Sequence, residues 1–122
     1  MDARSLARLQ AVARAALGAG LVVAPGRLGG AWVGAPADKR EGQAPVVGLG
    51  ARDVAIGLGA LRALGRGRGA RPWVLAGMLG DAADLVATVR ARDALPPLAA
   101  PAVAAMAGGS VLLGVWLQRA LD

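Results

Sequence analysis

The sequence predicts an all-α fold, a bundle of four transmembrane helices, and three observations carry that prediction. The first is bulk polarity: of 122 residues 56% are hydrophobic, and the mean hydropathy is +0.51, more apolar than most soluble domains of this length. The second is the kind of apolar residue. The chain has no Phe or Tyr but 19 glycines and many alanines, which leaves a water-soluble core short of large side chains and suits membrane helices that associate through small residues. The third is the run at 94–118, 25 residues without a charge and long enough to cross a hydrocarbon layer.

The elements follow in order. The first helix is expected over 5–24, about 30 Å of helix, which spans if Arg8 extends to the interface. A cleavable signal peptide is the alternative reading. Arg14 opposes it by interrupting the hydrophobic region, and Pro25 opposes it because the small residues before it run straight into a helix stop. Residues 25–45 concentrate Gly, Pro and charge and read as a connecting loop. Within it, Trp32 and Val33 are expected at the membrane interface.

The second helix is expected over 46–64 with two small-residue stripes. Gly48, Arg52, Ala55 and Gly59 form one, and Gly50, Asp53, Gly57 and Ala60 the next, so close helix contact is expected on both sides. Arg62, Arg66, Arg68 and Arg71 then crowd a basic turn in which Gly65, Gly67 and Gly69 stop the helix and Pro72 begins another. The third helix, 72–89, starts at the interface residue Trp73 and sets Gly77, Asp81, Asp84 and Thr88 on one face. After a turn at 93–97 comes the fourth helix, 97–118, with Trp116 and Arg119 at its far edge.

The whole chain, 1–122, thus reads as one integral membrane domain with both termini on the same side. That side carries Arg4, Arg8, Arg62, Arg66, Arg68, Arg71 and Arg119, against Arg27, Lys39, Arg40, Arg90 and Arg92 opposite. The positive-inside rule then places both ends in the cytoplasm, with the chain in the inner (cytoplasmic) membrane.

Five ionisable residues fall at membrane depth: Arg14, Arg52, Asp53, Asp81 and Asp84. At about 2.5 to 3.5 kcal/mol each, five facing lipid would cost about 12 to 17 kcal/mol, so they are expected to face inward and pair. The simplest arrangement sets Asp81 and Asp84 against Arg14 and Arg52, with Asp53 sharing a guanidinium or holding a proton. Two arginines against three aspartates leave a negative charge to be met by a proton, by an extended Arg8 or Arg62, or by a cation. The glycines expected to pack helices are Gly48, Gly50, Gly57, Gly59 and Gly77.

Most catalytic templates are absent. Without Cys or His there is no thiol, no usual metal ligand and no usual general base, and Ser5 and Ser110 are the only serines. No catalytic residue, metal ligand or cofactor is therefore expected. The net charge of +6 rests on arginines scattered at segment ends, which fits lipid headgroups rather than nucleic acid. The expected partners are the lipid bilayer and a second copy or a larger membrane complex. An accessory or structural role follows, with a proton- or cation-coupled small-solute transporter or channel as the alternative.

At LGARDVAIGLGAL and WVLAGMLGDAADLVAT the chain resembles a family of small four-helix bacterial membrane proteins, distantly similar to the DoxX-like proteins. A looser likeness lies at ARAALGAGLVVAP. In that family an arginine in the first helix, a Gly-x-Arg-Asp element and a Gly-x-x-x-Asp element recur. The corresponding residues here are Arg14, then Gly50, Arg52 and Asp53, then Gly77, Asp81 and Asp84. The resemblance implies four membrane helices and no particular activity.

Overall fold

A computed structural model describes residues 1–121, and among these every regular element is helical. In chain order they are α1 (Ala3–Val23), α2 (Pro25–Val33), a 3-10 turn (Ala35–Asp38), α3 (Arg40–Gly65), α4 (Arg71–Arg90), a second 3-10 turn (Arg92–Ala94) and α5 (Ala99–Ala120). The four longer helices are each long and apolar enough to cross a membrane. The expected four-transmembrane-helix bundle is therefore the fold observed.

Residues 25–45 differ from expectation, because they are not a loop. Pro25 ends α1 and opens α2 at the first helical position, where its missing N–H costs nothing and its fixed φ favours a helix. Gly34, at φ 74°, reverses the chain after α2. α3 then starts at Arg40 and runs through Pro45. Its first turn is held by the Gln43 side chain, which donates to the Ala37 carbonyl at 2.8 Å, and by Gly42, whose lack of a side chain admits the Pro36 carbonyl. These tertiary contacts outweigh the low helix propensity of Gly and Pro that suggested a loop.

The helices associate by two means. α1 lies along α3 with almost nothing between the backbones: a Cβ at Gly57 would come within 2.7 Å of the Ala11 carbonyl oxygen, and one at Gly50 within 2.6 Å of that of Gly18. α4 and α5 interlock through side chains, with Met78 lying on Gly114 and Leu117 fully enclosed. An apolar core of Ala7, Ala63, Leu64, Val74, Leu117 and Leu121 closes the end of the bundle near the N-terminus. At the opposite end α2 packs Gly29 on Val46, and the Trp32 indole donates to the buried Thr88 hydroxyl at 2.9 Å. Trp32 is thus a tertiary anchor as well as an aromatic residue near a helix end.

Between these two ends the bundle is polar. Arg14, Arg52, Asp53, Asp81 and Ser110 stand within about one residue of the midpoints of α1, α3, α4 and α5.

Candidate functional site

The five predicted ionisable residues meet in one network at that midplane. Each approaches from a helix whose local sequence makes room for it. A helical side chain leans toward the N-terminus of its helix, so Asp81 covers the turn at Gly77 and Asp84 the turn at Gly80. Both positions are glycine, and a guanidinium lies over each: a Cβ at Gly77 would be 3.1 Å from Arg14, and one at Gly80 3.1 Å from Arg52. The segment GMLGDAAD is therefore two overlapping copies of a Gly-x-x-x-Asp seat, each holding one arginine from another helix.

The inner seat is nearly closed. Arg14 presents both terminal nitrogens to Asp81: Nη1 donates to Oδ1 at 3.0 Å, and Nη2 pairs with Oδ2. Nη2 also reaches the Ser110 hydroxyl on α5 at 3.2 Å, and the Gln10 amide donates to that hydroxyl at 2.9 Å. The outer seat repeats the fork, with Arg52 Nη1 and Nη2 donating to the two oxygens of Asp84 at 3.2 and 2.7 Å. Parallel two-point pairing of this kind fixes orientation as well as charge.

Asp53 joins the two seats. Its Oδ1 accepts from Arg14 Nη1 at 3.3 Å and from Arg52 Nε and Nη2 at 3.1 and 3.0 Å, so one oxygen is shared by arginines from α1 and α3. The Asp53 side chain is 7% exposed and that of Arg14 10%, whereas that of Arg52 is 32% exposed, so burial falls from the inner seat to the outer one. Among the described residues no enclosed side-chain polar atom lacks a partner. Two guanidiniums still face three carboxylates. Arg8 and Arg62 do not offset the difference, since both are exposed and neither forms an ion pair with a described residue.

The predicted packing glycines separate. Gly50 and Gly57 lie against α1, Gly59 admits the Trp73 ring, and Gly77 seats Arg14. Gly48 has no atom of another element within 4 Å of where its Cβ would be, so within the bundle it packs nothing. The sequence reading missed Gln10, Ser110 and Gly80 as members of the network. Two signals pointed to them: Ser110 sits at the centre of an uncharged helix, and Gly80 repeats before Asp84 the spacing of Gly77 before Asp81.

Comparison of the chain with protein-family models, with curated proteins and with solved structures gives no match.

Proposed function

We propose that the chain is a small accessory or structural protein of the inner membrane, with both termini cytoplasmic, in which the Arg–Asp network fixes helix order and register. The observation that carries this reading is mutual saturation: each guanidinium is taken up by carboxylates of the same network. The cavity beside Arg14 and Gln10 measures about 20 Å³, room for roughly one water and for no solute. The DoxX-like likeness agrees with this reading in helix number and adds no activity.

Self-association belongs to the same proposal. Arg52 and Asp84 lie at mid-depth yet keep 32% and 19% of their side chains uncovered, a costly exposure to hydrocarbon. One turn away on the same face is Gly48, open to a second helix. A second copy placed there would shield the outer ion pair.

A second reading, a proton- or cation-coupled carrier, draws on the excess carboxylate. The two are separated by Asp84→Asn. A structural network predicts lower abundance of the membrane-inserted protein, scored after alkaline carbonate extraction, whereas a carrier predicts normal abundance with lost, pH-dependent flux. Release of the unaltered protein by carbonate would overturn both. Gly48→Leu is expected to reduce cross-linked dimer in membranes while leaving the monomer folded.

A further inference from the structure

At the cytoplasmic end of this reading the turn between α3 and α4 is built more firmly than a connector requires. Gly67, at φ 77°, closes a Schellman motif in which its own N–H donates to the Leu64 carbonyl and that of Arg68 to the Ala63 carbonyl. Arg4 of α1 adds a cap, Nη2 donating to the Leu64 carbonyl at 3.1 Å. The Ala63 and Leu64 carbonyls near the end of α3 are thus satisfied without the side chains of Arg62, Arg66 or Arg68, and those three side chains make no hydrogen bond or ion pair with a described residue. Asp2, at the start of α1 beside this turn, is engaged by Ser5.

The three arginines surround an open groove of about 730 Å³, walled by Gly59 and by Trp73. Gly59 is what allows that wall, since a Cβ there would lie 2.5 Å from the indole ring. We propose that this groove binds the phosphodiester headgroup of an anionic phospholipid, with Arg62, Arg66 and Arg68 on the phosphate and Trp73 against the glycerol region. Guanidiniums pair with phosphate oxygens through two N–H groups, and an indole prefers the headgroup level of a membrane. The source is a lipid rather than free phosphate because the groove opens at the end of two spanning helices. One turn below Arg62, Leu58 is 56% exposed and offers an acyl chain an apolar path.

The inference rests on membrane insertion, which carbonate extraction tests separately. The site itself is tested by native mass spectrometry of the full chain, extracted from vesicles of equal phosphatidylglycerol and phosphatidylcholine. The unaltered protein is expected to retain phosphatidylglycerol in preference. Arg66→Gln alone should weaken retention about fivefold, and Arg62→Gln, Arg66→Gln and Arg68→Gln together about a hundredfold. Equal retention of the two lipids overturns the proposal. So does a loss no larger than that caused by Arg27→Gln, Arg90→Gln and Arg92→Gln at the opposite end. Displacement of the lipid by excess inorganic phosphate assigns the groove to a free anion and overturns the lipid as ligand.

Discussion

Two seams of this bundle run side by side and are closed in opposite ways. Between α1 and α3 the contact is made by what is missing: Gly18, Gly50 and Gly57 have no side chains, and the backbones meet. Between that pair and α4 the contact at mid-depth is made by long charged side chains, Arg14 and Arg52 reaching across to Asp81 and Asp84. In lipid there is no hydrophobic force to press helices together, so association must come from close packing or from polar partners. This chain relies mainly on one for each seam, with the Arg14–Asp53 pair adding a charged contact across the first. The first should fail when atoms are added, the second when they are removed.

The strongest way to break the contrast is at the inner seat. Asp81→Leu strips the buried Arg14 of its two-point partner and leaves it, among carboxylates, only the Asp53 oxygen it shares with Arg52, an expected loss of about 3 to 5 kcal/mol in denaturant unfolding of the detergent-solubilised protein. Gly57→Leu attacks the other seam by addition, with an expected loss of about 1 to 3 kcal/mol by the same measurement. If Asp81→Leu proves the milder, the polar seam is not what holds α4. Trp32→Phe tests the polar contact at the α2 end: it removes the indole donor from the buried Thr88 hydroxyl, an expected cost of about 1 kcal/mol.

The smallest effect is at the N-terminus of α1, where the Ser5 backbone N–H holds the Asp2 carboxyl below its ordinary value. A folded-state value below the unfolded one means that the cap's contribution is present above the ordinary carboxylate range and lost as pH falls through the lowered value. Protection of the first-turn amides of α1, taken as hydrogen exchange relative to the intrinsic rate at each pH, is expected to fall on acidification there and to be low at all pH in Asp2→Ala, with the midplane network unaffected.

Much of this was legible in the sequence because charge in an apolar run is costly. Arg14, Arg52, Asp81 and Asp84 had to find one another, and the spacing of the aspartates gave the face on which they did. Gln10 and Ser110 were harder to place, since an uncharged polar residue in a membrane helix needs a partner but does not say which. α2 was hidden for a different reason. Its composition reads as loop, and the contact that seats it, Gly29 on Val46, joins it to α3 and lies outside any local pattern. The stripes on α3 named two faces open to a neighbour, yet only burial shows that Gly50 uses its face inside the bundle and Gly48 does not.

The sharing of Asp53 Oδ1 by two arginines has a consequence for the order of synthesis. Arg14 is made 39 residues before Asp53 but 67 before Asp81. At about 5 to 20 residues per second, it waits roughly 3 to 13 seconds for its final partner. Asp53 is the first intramembrane carboxylate that either arginine meets, and it arrives on the helix that α1 packs against. Asp53→Asn is accordingly expected to lower the yield of inserted protein more than the unfolding midpoint of what does insert. The carboxylate in excess in the finished bundle would then be the counterion of the half-translated one.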